Sequence, residues 1–318
     1  MTRPDILQLN PILVPEIQQR LDDLYTVHRL FEQADPEAYL DAHGARMQAV
    51  ITGGHTGISN DRLRRLPALK VVAINGVGTD AVDLAHCRAR GLPVTATLGA
   101  LTEDVADLAL ALLLATCREV VAGDRFVRDG DWVRHPQPSA IPLARRFSGQ
   151  RIGIVGMGRV GRAVATRVQA FGCPVRYTDL HPMPDLPYPF EADLCALARQ
   201  SDALVLAAAA DTAQGIVNAQ VLDALGPRGY LVNVARGRLV VEADLVAALT
   251  QGRIAGAGLD VFVDEPHVPP ALFGLRNVTL QAHRASATWE TRAAMGEMVL
   301  ASVAQALAGQ RPSASLTT

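Results

Sequence analysis

Lysine is almost missing from this sequence. Of 30 cationic residues, Lys70 is the one lysine and the rest are arginines. A lysine Schiff base or the phosphate-gripping lysine of a P-loop is therefore nearly excluded, because each needs an amine within its motif. Cysteine is scarce as well. Cys87, Cys117, Cys173 and Cys195 stand far apart, with no CxxC spacing. That pattern argues against a zinc site and predicts no bound metal. It suits four reduced, mostly buried thiols in a cytoplasmic protein. Aromatic residues are 4% of the chain, too few to suggest an aromatic pocket. The longest apolar run, "LALALLLATC" at 108–117, has ten residues. A membrane span needs about twenty, so this run predicts a buried helix. "MTRPDILQLN" lacks the apolar core of a signal peptide. The formal net charge of −2 gives no basic field for nucleic acid.

What the sequence does hold is apolar and rhythmic. Its 318 residues, 49% hydrophobic, are enough for two domains with separate cores. Strand and helix patterns alternate. Strands are expected at 6–10, 47–54, 69–74 and 92–97, and a helix at 15–30 opened by Pro15. A long helix follows at 101–120, with Thr102 as its cap and Glu103 and Asp104 at its positive end. Residues 128–150 read as a surface connection rich in Pro, Arg and Gly. From 151 a second series begins, with strands near 151–155, 174–179, 201–208, 229–235, 255–262 and 277–283. A helix at 242–253 separates two of these strands, another after 285 closes the chain, and the polar tail 310–318 is expected to fray. Alternation of this kind predicts parallel sheets covered by helices on both faces.

"GIVGMGRVGRAV" contains GxGxxG at Gly156, Gly158 and Gly161, after a strand and opening a helix. In that setting the first glycine allows a tight turn, the second lets a pyrophosphate approach, and the third lets helix and strand pack. The N–H groups at the helix start bind phosphate, and Arg159 adds charge from the side. A purely structural glycine turn is the competing reading. The next strand ends at Asp179, 18 residues beyond Gly161. A carboxylate there accepts hydrogen bonds from ribose hydroxyls and repels a 2′-phosphate, so NAD is favoured over NADP, with His181 as a weak counter-indication.

Ligands of open parallel sheets sit beyond the carboxyl ends of the strands. Three strands of the second series end on chemically capable groups: Arg236 after "GYLVNVA", Asp260 and Glu265 within and beyond "AGLDVF", and His283 after "NVTLQA". Singly, each of these side chains can be structural. Together they place a guanidinium, carboxylates and an imidazole beside a nucleotide. That set suits hydride transfer to a 2-oxo acid. His283 meets the growing charge on the carbonyl oxygen with a proton, Glu265 favours the protonated ring, and Arg236 forks onto the substrate carboxylate. In the first series "NGVG" at 75–78 follows a strand. Val77 and Gly78 are candidate substrate-carboxylate binders unless this is a plain turn, and Gly54 in "TGG" can line the same cleft.

"LTEDVADLALALLL", "GIVGMGRVG", "LVNVARG", "AGAGLDVFVDEP" and "AHRASAT" together resemble the D-2-hydroxyacid dehydrogenase family, over nearly the whole chain. Within it the chain is most similar to the glyoxylate, hydroxypyruvate and hydroxyphenylpyruvate reductases. The resemblance implies two doubly wound α/β domains. A Rossmann NAD-binding domain, 101–284, is inserted into a flavodoxin-like substrate domain, 1–100 plus 285–318. It also implies a homodimer and a hinge at the "LTEDVADL" helix. It gives Arg236, Glu265 and His283 the catalytic roles and Asp260 a bond to the nicotinamide carboxamide. Ala235, Arg236, His283 and Ser286 come close to the cofactor, with Thr102 and Val160 joining that set. Departures from the family pattern are "AAAADTAQG" at 207–215, Ala282 before the histidine, and "VTATLG" at 94–99. Arg284 either attracts an anionic substrate or pairs with a surface carboxylate. The competing function is a non-catalytic sensor of NAD(H) on the same fold, since fold alone does not fix function.

Overall fold

The computed structural model describes residues 3–209 and 213–317. They divide into two compact units, Met1–Leu101 with Ala287–Thr318, and Thr102–Ser286.

The first unit begins with β1 (Asp5–Gln8), α1 (Pro15–Leu24), β2 (Thr26–Arg29), α2 (Pro36–His43) and β3 (Met47–Thr52). It continues with α3 (Asn60–Arg64), β4 (Val71–Ile74), α4 (Leu84–Ala89) and β5 (Val94–Ala96). The five strands pair in parallel in the order β2-β1-β3-β4-β5, the flavodoxin-like arrangement. Successive residues go to opposite cores. Leu7, Val50 and Val72 pack on one face, and Ile6, Ala49 and Val71 on the other. Burial on both faces explains why β4, VVAI, is an unbroken apolar run and why β1 and β3 are apolar at Ile6–Leu7 and Ala49–Ile51.

Two expectations fail in this unit. The helix expected over 15–30 stops at Leu24, and Thr26–Arg29 form an edge strand. Ile17 and Leu21 already fill the buried stripe of α1, and the β-branched pair Thr26 and Val27 aligns with Asp5 and Ile6 of β1. The tail does not fray, because it docks onto β5. The Leu316 N–H donates to the Val94 carbonyl at 2.7 Å, and the Thr317 hydroxyl accepts from the Val94 N–H at 3.0 Å.

The second unit opens with α5 (Thr102–Cys117), α6 (Val120–Arg128) and α7 (Asp131–Arg134). The helix start includes Thr102 itself, so Thr102 lies in the first turn and not at the cap. The helix expected to reach 120 breaks at Glu119, whose φ of 51° reverses the backbone before α6. A sheet then builds up through β6 (Ile152–Val155), α8 (Arg159–Gln169), β7 (Val175–Thr178), α9 (Leu194–Arg199) and β8 (Ala203–Leu206). After these come α10 (Ala219–Leu225), β9 (Tyr230–Asn233), α11 (Glu242–Thr250), β10 (Gly256–Leu259) and β11 (Val278–Leu280). All six strands are parallel, in the order β11-β10-β9-β8-β6-β7. The chain changes direction across the sheet between β6 and β8, which opens a crevice at their carboxyl ends. The last helix, α12 (Trp289–Leu307), returns to the first unit, where Val299 and Val303 join its core. Among the described residues no helix is long and apolar enough to cross a membrane.

Candidate active site

The glycine-rich turn sits at that crevice. Gly156 follows β6 with φ 93°, and a Cβ on it would lie 2.4 Å from the Ala208 Cα beyond β8. A Cβ on Gly161 would lie 2.1 Å from the Gly156 carbonyl oxygen, so α8 packs against the turn only through glycine. Gly158 differs from both. Its φ is −71° and a Cβ there would meet nothing within 4 Å. Neither the fold nor the packing of the chain requires glycine at that position, whereas close approach of a phosphate does. Arg159 and Val160 form the first turn of α8, with Arg159 exposed. A cation at the positive end of a helix is unfavourable unless an anion lies beside it. Residues 210–212 of the departing loop 207–215 lie outside the described residues.

Asp179 follows β7 directly. Its carboxylate accepts the Met157 N–H at 2.7 Å and the Leu180 N–H at 2.7 Å, which fixes it beside the glycine turn. Leu180 is 90% exposed and brings no positive charge. Glycines, helix start and terminal carboxylate thus fit a dinucleotide.

The acid and the imidazole come together further along the same edge. β11 ends at Leu280, three residues short of His283, which lies in a turn with φ 50°. That backbone is uncommon for a residue other than glycine. It is held by Asp260, the residue after β10. The Asp260 carbonyl accepts the His283 N–H at 2.8 Å, and its carboxylate accepts the N–H groups of Arg284 at 2.7 Å and Ala285 at 3.0 Å. Asp260 is 0% exposed, and burial pushes its carboxyl above the ordinary range, against the pull of those two N–H donors and nearby His283. The His283 ring, part-buried, places Nδ1 2.8 Å from Glu265 Oε2. The other oxygen of Glu265 accepts the Phe262 N–H at 2.9 Å, so both ends of the acid are fixed.

Arg236 follows β9, the neighbour of β10 in the sheet. Its guanidinium donates to the Ala235 carbonyl at 2.8 Å. A Cβ on Gly237 would lie 1.9 Å from the Phe262 carbonyl carbon, so the arginine loop abuts the loop that carries Glu265. Asn233, missed in the sequence, ties the arginine loop. Its side chain accepts the Ala235 N–H and donates to the Arg236 carbonyl, each at 3.0 Å. A polar residue closing the buried strand "YLVN" was the available signal. Ser286 is the last residue of this unit, one beyond the Asp260-bound Ala285. Arg284 joins the turn through its backbone, with its side chain exposed.

Gly54, Val77 and Gly78 belong to the other unit. There a Cβ on Gly54 would lie 2.8 Å from the Gly78 carbonyl oxygen, so the loops after β3 and β4 touch. Asn10, also unanticipated, accepts the Gly53 N–H at 2.8 Å from the loop after β1.

Residues 110–285 match the model of the NAD binding domain of the D-isomer specific 2-hydroxyacid dehydrogenases. The chain is 43% identical over 301 residues to the 2-ketogluconate reductase of Gluconobacter oxydans (strain 621H), covering 94% of each. It is 40% identical over 295 residues to a glyoxylate/hydroxypyruvate reductase A of Arabidopsis thaliana, covering 92% of this chain and 93% of that one. Among solved structures, a 2-hydroxyacid dehydrogenase from Ketogulonicigenium vulgare Y25 superposes with a TM-score of 0.92 at 42% identity, covering 99% of both chains. An NADPH-dependent glyoxylate/hydroxypyruvate reductase from Sinorhizobium meliloti gives 0.90 at 38%, covering 99% of this chain and 97% of that one. These relatives are named as reductases and dehydrogenases and give no support to a non-catalytic sensor. The chain belongs to the D-isomer specific 2-hydroxyacid dehydrogenase family and is an NAD(P)-dependent oxidoreductase that interconverts a 2-oxo acid and its 2-hydroxy acid.

Proposed function

We propose that the protein reduces a small 2-oxo acid of the glyoxylate or hydroxypyruvate kind to the D-2-hydroxy acid, with His283 as proton donor and NADH as the preferred reductant. The Nδ1 contact of His283 with Glu265, at 2.8 Å, carries this reading. A carboxylate on Nδ1 orients the ring and leaves Nε2 as the nitrogen that transfers the proton. When bound, the nicotinamide supplies a hydride to the carbonyl carbon. His283 gives the carbonyl oxygen a proton as its charge grows, and Glu265 stabilises the imidazolium before that transfer. Arg236 receives the substrate carboxylate, for which a planar guanidinium is suited. In the first unit Gly54, Val77 and Gly78 are the proposed binders of a substrate carboxylate, through backbone and shape. Asp260, Ala235, Ser286, Thr102, Val160 and Arg159 line the cofactor in this reading.

NADH preference rests on Asp179 and on the missing cation at Leu180. The Sinorhizobium meliloti relative is NADPH-dependent, so the choice of cofactor is the finer part of the reading. A cytoplasmic homodimer is the working form we infer. Four free cysteines suit a reducing compartment, and exposed Trp132, Val133 and Leu143 offer apolar surface for association.

Loss of NADH absorbance across a panel of 2-oxo acids, repeated with NADPH, tests the activity. Turnover of none of them sinks it. Asp179→Ser should shift the NADPH to NADH ratio of kcat/KM upward by about tenfold or more, roughly 1.4 kcal/mol of relieved repulsion. An unchanged ratio removes Asp179 from the ribose site.

A further inference from the structure

The first unit carries a second concave feature, at the amino end of its sheet and away from the Gly54 and Gly78 loops. A surface cleft of about 520 Å³ is lined by Lys70, Arg88, Arg311, Gly91, Gly309 and Thr317, among others. Lys70 directly precedes β4, and the 75–78 loop follows the same strand at its other end. Arg88 lies in the last turn of α4, and Arg311 lies four residues beyond the end of α12. Among the described residues no Asp or Glu side chain lines the cleft.

Many arginines elsewhere in the chain are paired with acids: Arg29 with Asp22, Arg62 with Glu37, Arg151 with Asp202, and Arg167 with Glu103 and Asp107. Among the described residues no ion pair or side-chain hydrogen bond involves Lys70, Arg88 or Arg311. Helix C-termini attract cations, which accounts for Arg88 on α4. It does not account for Lys70, which comes from the start of a strand and is the one lysine in the sequence. Three cations lining one cleft give it a positive field that favours an anion there. The wall is also built. Thr317 donates to the Leu92 carbonyl at 2.9 Å and accepts from the Val94 N–H at 3.0 Å, which locks the tail along β5.

We propose that this cleft binds a small metabolite carrying two or more anionic oxygen groups, a polycarboxylate or a polyphosphate. Its volume lies within the range of small-ligand sites and exceeds what one carboxylate fills. An ammonium and two guanidinium groups suit separate anionic groups on one molecule. The site is independent of the proposed catalytic groups and does not rest on the identity of the 2-oxo acid.

Lys70 gives the test a local reading, because it holds the one side-chain amine of the chain. The rate of acylation of Lys70 by an amine-reactive ester is followed by peptide mass spectrometry on the intact protein. Citrate and pyrophosphate are the two probes, and sodium chloride is matched to them in ionic strength. Low-millimolar probe is expected to slow Lys70 acylation about fivefold or more, while chloride does not. Protection by citrate alone assigns a polycarboxylate site; protection by pyrophosphate alone assigns a polyphosphate site. The double variant Arg88→Gln, Arg311→Gln should lose the protection and keep the 2-oxo acid reductase kcat/KM. Equal protection by chloride, or protection that survives in the double variant, overturns the proposal.

Discussion

The carboxyl edges of the two sheets are furnished in opposite ways. In the second unit that edge carries Asp179, Arg236, Asp260, Glu265 and His283, each held by hydrogen bonds of 2.7–3.0 Å. In the first unit the same edge presents Gly53, Gly54 and the Asn75–Gly78 loop, tied by backbone contacts and by Asn10. Both sheets are parallel and buried on both faces, so the difference is not one of fold. A site that moves a proton needs side chains with titratable groups. A site that holds a carboxylate through N–H groups needs backbone brought close, and side chains obstruct it. The proposed chemistry therefore assigns charge to one unit and shape to the other. Substitutions in the two should fail in different kinetic parameters.

The largest effect is expected from His283→Gln. Removal of a positioned general acid lowers kcat by about 10²–10⁴-fold. NADH affinity, measured by fluorescence titration, should stay within about twofold, because uniform binding is untouched. Wild-type turnover in this variant would reject His283 as the donor.

Asp260→Asn tests whether the charged edge depends on how its groups are held. An amide keeps one acceptor and turns an NH2 toward an N–H, so one of the two bonds to Arg284 and Ala285 is lost. The turn that holds His283 at φ 50° then loosens. Misplacement of a catalytic group by about 1 Å costs around 10²-fold in rate. kcat should fall by that order with KM little changed. Stability should behave differently. Burial raises the Asp260 carboxyl above its ordinary value, so the folded state takes up this proton more readily than the unfolded chain. That contribution is present in full below the ordinary carboxylate value and is lost as pH rises through the folded one. The variant lacks this dependence. Its melting temperature should therefore gain on that of the parent as pH is raised from acid to neutral, and a constant difference would contradict the buried ionisation.

Gly54→Ala is the matching test in the other unit. The added methyl would lie 2.8 Å from the Gly78 carbonyl oxygen and must push the two loops apart. If those loops hold only the substrate carboxylate, KM for the 2-oxo acid rises about tenfold, near 1.4 kcal/mol, and kcat holds within about threefold. A fall in kcat with KM unchanged would erase the division between charge and shape.

Both doubly wound sheets were legible from alternating apolar runs, because strands buried on two faces cannot hide their composition. Of the candidate site, the residues readable in the sequence were those whose type the proposed chemistry constrains: Gly156, Gly158, Gly161, Asp179, Glu265 and His283. What was not legible depends on partners distant in sequence. Thr26–Arg29 becomes a strand because β1 is there to pair with it. The tail docks because β5 leaves backbone groups open to residues 315–317. The break at Glu119 uses a positive φ that no glycine announces. Asp260 was read as a cofactor contact; its hold on the His283 turn follows from geometry no spacing reveals. Asn10 and Asn233 work through backbone groups, which a one-dimensional reading does not see.

The smallest effect should come from the opposite edge of the charged sheet. Arg151 and Asp202 join the amino ends of β6 and β8, with guanidinium and carboxylate 2.8 Å apart. The Arg151 hydrogen bond holds the Asp202 carboxyl below its ordinary value, against burial that raises it. A lowered carboxyl contributes stability above the ordinary carboxylate value and loses it as pH falls through the folded one. Because the pair is well exposed, screening limits its worth to at most about 1 kcal/mol. Asp202→Asn should lower the melting temperature at neutral pH by at most about 2–4 °C and by less in acid. Its kcat/KM should match the parent, since charge at the amino edge serves the fold alone. A loss of turnover here, with the melting temperature unchanged, would show that function is not confined to the carboxyl edge of this sheet.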